Sequence, residues 1–526
     1  MTVRGKYVLE GDGDGSRRAG SIAALRSGAE PAEGRRGAAL KVLMVSAECY
    51  PLAKTGGLAD VCTGLALSLL KKGLRLRLLV PGYDCVFAGL RRVLPVAEIA
   101  GLPAPAKLLA SRIPGSSLRL WILDSPELFR RRGIYQNEAG EDWPDNFRRF
   151  AALGMAAARI AEGRVAGLRW RPDLVHCHDW CAGLTPLLLA GGGVSRPASI
   201  FTIHNASFQG NFPLSHARDL GLPANTLGPE GAEFYGRFSF LKAGVRYADA
   251  VSTVSPRYSR EIRSPEFGCG MEGLFAAKGE NLVGILNGVD TQLWNPATDR
   301  WISRNYSAAH PAGKARCKLD LQRRLGLDAD PRAPLGIFVC RLTAQKMADI
   351  LLGVLPALLA LHPRLQFTLH GCGERRFETG FTALAARFPG RVAVRIGYDE
   401  ALAHRLQAGG DFLFHGCRFE PCGLVQQYAM RYGTLPIVRR TGGLADTVSD
   451  RAGGRETGFF FEEPTANALA AAAENCLRLY AGDRLAWKRR QRNAMEEQPG
   501  WESSSQAYLR LYQRCITERR AIAGRQ

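Results

Sequence analysis

Short apolar segments alternate with stretches of helical periodicity from Leu40 to the end of the chain. Strand-like segments occur first at residues 40–46, 76–80, 118–123, 174–176, 198–203 and 250–254. After residue 287 the pattern starts again, with strand-like segments at residues 335–340, 366–370, 392–396, 412–414 and 435–438. Strands that alternate with helices form parallel sheets covered by helices on both faces. The pattern therefore predicts an α/β protein with two Rossmann-like lobes.

The same pattern suggests four segments. Residues 1–39 are rich in Gly, Ala, Arg and Ser and have no apolar period, so we expect a disordered basic tail. We expect an N-terminal lobe at 40–286 and a C-terminal lobe at 287–499. In residues 500–526 the spacing of Tyr508, Leu509, Leu511 and Tyr512 predicts an amphipathic helix that packs back on a lobe.

The hexapeptide Thr-Gly-Gly-Leu-Ala-Asp occurs twice, at residues 55–60 and 441–446, each time directly after a basic residue, Lys54 or Arg440. Each copy follows a strand-like segment and precedes a helical one, which predicts a glycine-rich turn that opens a helix. Such turns bind phosphate, because the glycines let the backbone approach an anion and the first N–H groups of the helix point at it. Two copies indicate two nucleotide-type lobes that face one cleft.

Composition narrows the function classes. With 526 residues, of which 46% are hydrophobic and 23% charged, the chain is typical of a globular protein of several domains. It has no apolar run of about 18 residues, so we expect a soluble protein without a transmembrane helix. The net charge of +21 comes from 70 Lys and Arg residues spread along the whole length, without a nucleic-acid-binding motif. We therefore expect no nucleic-acid partner.

The 13 cysteines form no CxxC pair, and no signal peptide precedes them, which favours reduced thiols and a cytoplasmic location. One cluster, His176, Cys177, His178 and Cys181, contains possible metal ligands. It follows an apolar strand, where side chains alternate between the two faces of the sheet, so these residues are not expected to meet at one ion. The prediction is that the protein has no metal site.

Six ordered motifs carry a family resemblance. They are Lys-Thr-Gly-Gly-Leu-Ala-Asp at 54–60, Trp-Arg-Pro-Asp with His-Asp-Trp at 170–180, Thr-Ile-His-Asn with Gln-Gly at 202–210, Leu-Asn-Gly-Val-Asp at 286–290, Arg-Leu-Thr-x-Gln-Lys at 341–346 and Arg-Phe-Glu-Pro-Cys-Gly-Leu at 418–424. Together they resemble the bacterial glycogen synthases and plant starch synthases, and the resemblance extends from about Val42 to the C-terminal helix.

The resemblance implies the GT-B architecture and a hexosyltransferase of glycogen biosynthesis. It implies retaining transfer of glucose from ADP-glucose to the non-reducing end of an α-1,4-glucan, without a metal or another cofactor. These two substrates are the expected partners, and the oligomeric state stays open.

The resemblance also assigns site residues, each of which matches a family motif. The expected catalytic residues are Glu420, His204, Arg341 and Lys346. The expected ADP-glucose contacts are Lys54, Gly56, Gly57, Tyr398, Gly423, Leu424, Thr441 and Gly442. The expected sugar and acceptor contacts are Glu48, Asp60, Asp179 and Asn287. The cations agree with the chemistry, because negative charge grows on the departing diphosphate and a site without metal needs fixed positive charge there.

Four residues depart from the family pattern. Cys181 replaces a usual His, Met347 a usual Gly, Cys417 a usual Ser, and Val425 a usual Thr, Asn or Ile. If position 347 requires a positive φ or a close backbone approach, Met347 is expected to crowd the ADP site and raise the donor KM. The positions expected to be catalytic are unchanged, which favours an active enzyme.

Two alternatives remain open. One is a catalytically weak or silent glucan-binding paralogue whose donor site Met347 blocks, although a silent copy has no chemical need for Lys54, His204, Arg341, Lys346 and Glu420 together. The other is a transferase of the same architecture that uses UDP-glucose or makes short maltosides, since the motifs do not identify the base. A dinucleotide-dependent dehydrogenase is disfavoured because Gly371-Cys-Gly373 lacks the third glycine of that fingerprint.

Overall fold

The structure is a computed structural model that describes residues 39–193, 195–450 and 453–525. The predicted disordered tail therefore lies outside the described residues except for Ala39. The described residues from Leu40 onward form one compact unit.

The strands, in chain order, are β1 Lys41–Val45, β2 Arg75–Pro81, β3 Leu94–Glu98, β4 Lys107–Arg112, β5 Arg119–Asp124, β6 Leu174–His178, β7 Ala198–Ile203, β8 Asn211–Pro213, β9 Glu233–Phe234, β10 Arg237–Ser239, β11 Ala250–Thr253, β12 Leu282–Gly284, β13 Leu335–Val339, β14 Gln366–Gly371, β15 Val392–Ile396, β16 Phe412–His415, β17 Leu435–Arg439 and β18 Phe459–Phe461.

The α-helices are α1 Gly57–Lys71, α2 Asp84–Ala88, α3 Pro126–Phe129, α4 Asn146–Glu162, α5 Leu184–Ala190, α6 Leu214–Asp219, α7 Phe240–Tyr247, α8 Pro256–Glu261, α9 Glu272–Ala277, α10 Gly313–Leu325, α11 Ala348–Leu361, α12 Arg375–Arg387, α13 Glu400–Gly409, α14 Val425–Arg431, α15 Gly442–Thr447, α16 Ala466–Gly482, α17 Arg484–Glu496 and α18 Trp501–Ala523.

The first sheet has nine strands in the order β12-β11-β7-β6-β1-β2-β5-β4-β3. Its strands pair in parallel except at the β3–β4–β5 edge, where pairing is antiparallel. The central strands β1, β6 and β7 are buried along almost their whole length, as expected for parallel strands covered on both faces. All six segments predicted in this half are strands. Strands β3, β4 and β12 were not predicted, and β3 is mostly exposed and lacks a clear apolar period.

The second sheet has six parallel strands in the order β15-β14-β13-β16-β17-β18. All five segments predicted in this half are strands, and the predicted α/β class with two Rossmann-like sheets is confirmed. The neighbouring strands β13 and β16 lie at the centre of the sheet. In parallel sheets ligands bind beyond the carboxyl ends of the strands, so the loops that follow these two strands are the natural place for a site.

Helix α18 packs against the first sheet, although it follows the second sheet in sequence. Its residues Tyr508, Tyr512 and Cys515 are buried in the core of the first sheet. The Ser68 hydroxyl of α1 donates a hydrogen bond to the Ser505 hydroxyl over 2.8 Å. The predicted amphipathic helix is therefore present, and its apolar side covers the first sheet. Within the described ranges, no helix combines the length and the apolar character needed to cross a membrane.

Candidate active site

A buried ion pair lies at the carboxyl ends of the two central strands of the second sheet. Lys346 comes from the loop after β13 and Glu420 from the loop after β16, and the Lys346 ammonium contacts Glu420 Oε2. The two side chains are only 12% and 9% exposed. Burial alone would raise the pKa of the Glu420 carboxyl, but the Lys346 charge and the hydrogen bonds from Lys346 and Cys417 outweigh it and hold the pKa below its ordinary value. Glu420 is therefore a carboxylate at neutral pH.

Two further side chains surround this carboxylate. The Cys417 thiol donates to Glu420 Oε2 over 3.3 Å, and His415 Nε2 lies 3.7 Å from the same oxygen. Burial, together with the Lys346 charge, lowers the pKa of His415 to about 4, so its ring is neutral. Sequence reasoning noted Cys417 only as a departure and did not find His415, although its place at the end of a central strand was a usable signal.

The second copy of the hexapeptide supports the Glu420 loop from behind. The Gly443 N–H donates to the Glu420 carbonyl over 3.0 Å. A Cβ at Gly442 would lie 1.9 Å from that carbonyl oxygen, and a Cβ at Gly443 would lie 2.2 Å from the Cys422 carbonyl oxygen. Gly442 also has φ +43, where a side chain is strained. Both glycines are therefore required for the close approach that positions Glu420.

A carboxylate from the first half of the chain occupies this second turn. Glu261, at the end of α8, accepts the Gly442 N–H at 3.0 Å on both carboxylate oxygens, and the Thr441 hydroxyl lies 3.3 Å from Oε2. The Arg257 N–H donates to the Asp446 carboxylate over 2.8 Å beside it. A phosphate at Thr441 and Gly442 would first have to displace Glu261, so their expected donor contact stays a prediction.

The first copy of the hexapeptide also holds a glutamate. Glu48 accepts the Thr55 N–H and the Thr55 hydroxyl, each over 2.7 Å, and a weaker bond of 3.3 Å from the Gly56 N–H. The Tyr135 hydroxyl donates to it as well, over 2.7 Å. A Cβ at Gly56 would meet no atom within 4 Å, so the space beside this glycine is open.

The turn of the first hexapeptide, which belongs to the first sheet, lies next to the start of α14, which belongs to the second sheet. A Cβ at Gly57 would lie 3.3 Å from Leu424 Cδ1. Lys54 forms an ion pair of 3.0 Å with Asp60 in the same turn. Burial raises the pKa of the Asp60 carboxyl to about 6 in spite of that lysine. The structure thus brings Lys54, Gly57 and the Gly423-Leu424 segment, all assigned to the donor, to one place.

His204 and Asp179 form a second polar pair on the first sheet, at the ends of β7 and β6. The His204 N–H donates to Asp179 Oδ1 over 2.8 Å. Asp179 has φ +57, a strained conformation that costs about 1–3 kcal/mol and is found mainly at functional sites. Burial raises the pKa of Asp179 to about 7 and lowers that of His204 to about 3. The His204 ring is neutral, and its Nε2 shares a hydrogen bond of 2.9 Å with His178 Nδ1.

The possible metal ligands at residues 176–181, which were not expected to meet at one ion, contact several different partners. His176 hydrogen-bonds the Tyr512 hydroxyl of α18 over 2.7 Å and the Thr202 hydroxyl over 2.6 Å. His178 contacts His204, and Cys181 is buried. The two histidines therefore tie β6 to α18 and to β7.

The remaining site residues lie around the same loops. The Tyr398 and Tyr50 hydroxyls donate to opposite oxygens of the Glu400 carboxylate, over 2.9 and 3.2 Å, so Glu400 links the loops of the two sheets. Asn287 is buried, and its Oδ1 accepts no hydrogen bond from the residues the structure describes. Arg341 is exposed and lies two residues after the end of β13.

The structure corrects the expectation for Met347. Its φ of +55 agrees with the suspicion that this position requires a positive φ. Its side chain, however, is only 1% exposed and lies in the core of the second sheet, where Sδ would be 3.2 Å from a Cβ at Gly416. The expectation that the thioether crowds the donor site is therefore wrong. The departure from glycine affects backbone strain and core packing instead.

Met347→Gly should destabilise the protein by up to about 4 kcal/mol. Losing a buried methionine side chain costs about 2–5 kcal/mol, and removing the left-handed strain returns about 1–2 kcal/mol. Urea denaturation measures the difference. In Met347→Ala the same packing is lost but the strain remains, so the glycine variant should be the more stable of the two. An alanine variant more stable than the glycine variant would contradict the strain at this position.

Comparison with known families and structures identifies the class of protein to which the chain belongs. Residues 41–277 match the family described as starch synthase catalytic domain, and residues 326–494 match glycosyl transferases group 1. The catalytic domain of starch synthase IV from Arabidopsis thaliana, bound to ADP and acarbose, superposes with a TM-score of 0.83 at 31% identity, over 91% of this chain and 100% of that one. The fold and the paired loops are those of a GT-B glycosyltransferase.

Relatives narrow the class further. The glycogen synthase of Burkholderia thailandensis is 54% identical over 490 residues, which is 92% of each chain. That of Bordetella petrii is 46% identical over 484 residues, 90% of this chain and 92% of its own. The chain belongs to the glycogen synthase family.

Proposed function

We propose that this protein transfers glucose from ADP-glucose to the non-reducing end of an α-1,4-glucan and retains the anomeric configuration. The observation that carries the proposal is the buried Lys346–Glu420 pair at the carboxyl ends of β13 and β16. It places a cation and a carboxylate together in the loops where a sheet of this type binds its ligand.

The cations act on the leaving group. When the bond between the anomeric carbon and the diphosphate breaks, negative charge grows on the ADP. Lys346 and Arg341 follow β13, and Lys54 approaches from the first sheet, so positive charge is available from both sides. Such fixed charges stabilise the transition state more than the ground state, because the charge on the diphosphate is largest there.

The pairing of Lys346 with Glu420 suggests how the donor is received. A diphosphate that attracts the Lys346 ammonium would release the Glu420 carboxylate, which could then accept hydrogen bonds from the glucose hydroxyls. Gly442 and Gly443 hold the main chain of Glu420 in place during this exchange. The carboxylate thus changes partner without a movement of its loop.

His204 contacts the donor sugar while its ring is neutral. Because the pKa of His204 is low, at about 3, its ring carries no charge at neutral pH. A neutral ring can hydrogen-bond a glucose hydroxyl without opposing the positive charge that develops at the anomeric carbon. The hydrogen bond from the His204 N–H to Asp179 fixes the main chain from which the ring projects.

Activity should survive EDTA and should need no added Mg²⁺ or Mn²⁺. Positive charge on the diphosphate side is supplied by lysine and arginine, so no step of the proposed reaction needs a metal. Transfer rates are measured before and after dialysis against EDTA. Complete loss on chelation, restored by one particular cation, would contradict the proposal.

The donor and the activity are tested together by radiolabel transfer to a glycogen primer from ADP-glucose and from UDP-glucose. We expect transfer from ADP-glucose at a much higher kcat/KM. Preference for UDP-glucose would instead support the alternative donor. Binding of glycogen without transfer from either donor would support the silent paralogue.

A further inference from the structure

Three side chains with different metal-binding atoms meet at the end of β16. A ring nitrogen of His415, the thiol of Cys417 and a carboxylate oxygen of Glu420 all lie within 4.8 Å of one another, and all three residues are buried. Glu420 Oε2 is 3.3 Å from the thiol sulfur and 3.7 Å from His415 Nε2. Over the described ranges of the chain, this is the one group of three or more such ligands.

His415 supplies an independent observation. Its side chain is only 2% exposed, yet neither ring nitrogen has a hydrogen-bond partner among the described residues. Buried imidazole nitrogens are normally satisfied, because an unpaired polar group in the interior is costly. Here Nε2 faces Glu420 and Cys417, so the ring can bind a ligand that lies between the three side chains.

We propose that His415, Cys417 and Glu420 form a three-ligand site for a zinc-like divalent cation. We also propose that a cation bound there inhibits glucosyl transfer. Imidazole, thiolate and carboxylate are the ligands that zinc takes in proteins, commonly three at a time with a fourth position open. Magnesium and calcium prefer oxygen ligands only, so they are poor candidates. Inhibition rests on the proposed function, whereas cation binding does not.

Binding exchanges one cation for one proton at the thiol. The sulfur of Cys417 loses its proton to water and forms the bond to the metal, while the neutral His415 ring and the Glu420 carboxylate each donate an electron pair. The Lys346 ammonium must then leave Glu420 Oε2. The carboxylate can no longer exchange between Lys346 and the sugar, so the cation and the donor should exclude each other.

Cys417 decides which cations bind. A hydroxyl is a much weaker ligand for zinc or cadmium than a thiolate, so serine at this position would remove the strongest ligand of the site. The site shares Glu420 with the Lys346–Glu420 pair, but Cys417 and His415 belong to the cation site alone.

Cadmium titration of the full chain tests binding without reference to activity. The probe is Cd²⁺ itself, observed by the thiolate-to-cadmium absorption band in the ultraviolet. We expect one tight site per chain, whose band is absent in Cys417→Ser and retained in Cys372→Ser, a matched change of an exposed cysteine. His415→Gln should weaken binding by at least about tenfold. Saturating ADP-glucose should weaken it in the wild type.

Several results would overturn the site. A band that persists in Cys417→Ser, or that disappears instead in Cys372→Ser or Cys340→Ser, would place the cation on another thiol. Full affinity in His415→Gln would remove the histidine, and that variant decides the question even if Cys417→Ser fails to fold. Absence of a tight site in the wild type would end the proposal.

The inhibitory effect is measured against each protein's own metal-free rate. Micromolar Zn²⁺ should reduce transfer by the wild type, with recovery on EDTA addition, and Cys417→Ser should resist it. Equal inhibition of both proteins would contradict inhibition through this site. If neither protein transfers glucose at all, the proposed function fails, while the cadmium titration still decides the metal site.

Discussion

Glu420→Gln should lower glucosyl transfer from ADP-glucose by at least about a hundredfold, because a charge positioned at the reacting centre typically contributes that much. The amide has the shape of the carboxylate but not its charge, so the substitution tests the charge itself. Steady-state kcat with glycogen as the acceptor is the measurement. Glu420→Ala should lose at least as much.

Folding must be separated from chemistry in this experiment. Glu420→Gln leaves the buried Lys346 ammonium without its charged partner, so circular dichroism and thermal melting should accompany the kinetics. Glu462→Gln is a matched control, because Glu462 belongs to an exposed ion pair with Arg440 on the same sheet. It should keep the wild-type rate. Near-normal turnover by folded Glu420→Gln would remove Glu420 from the mechanism.

Lys346→Ala and Arg341→Ala should each reduce kcat, by about a hundredfold for the buried lysine. Both cations are expected to meet the diphosphate, whose negative charge is larger in the transition state than in the bound donor. The effect should therefore appear in kcat and in kcat/KM. If only KM rose in both variants, the two residues would contribute to binding alone.

Lys346 and Glu420 should also be coupled. Lys346→Ala leaves a buried carboxylate unpaired, which raises its pKa, so the single variant loses two contributions at once. The double variant Lys346→Ala/Glu420→Gln should therefore lose much less than the product of the two single losses. Fully multiplicative losses would show that the two residues act independently.

Eleven of the fifteen strands of these two sheets could be predicted from the sequence, because buried parallel strands are short apolar runs that differ clearly from the helices between them. Strands β3, β4, β12 and β18 were missed, and three of them, β3, β12 and β18, lie at a sheet edge. The family motifs predicted the site residues, and several of these motifs, such as those at 286–290 and 341–346, follow the carboxyl end of a strand.

The contacts of the site were beyond sequence reasoning. Glu261 lies 181 positions before Gly442, whose N–H it accepts, and no local pattern connects the two. The burial of Met347 could not be seen either, because a residue that directly precedes a helix can face the cleft or the core. The Glu261–Gly442 contact and the burial of Met347 both arise only when the second sheet packs against the neighbouring segments.

The two hexapeptides show which features of a turn the sequence determines and which depend on the tertiary structure. By itself it determined that each copy opens a helix after a strand, since paired glycines followed by helical residues specify that turn. The tertiary structure decided the rest. Gly56 has an extended φ of −161 beside open space, and the helix after it has 15 residues. Gly442 has φ +43 against the Glu420 carbonyl, and its helix has six residues. Six identical residues adopt different backbones because their contacts come from chain segments far away in sequence.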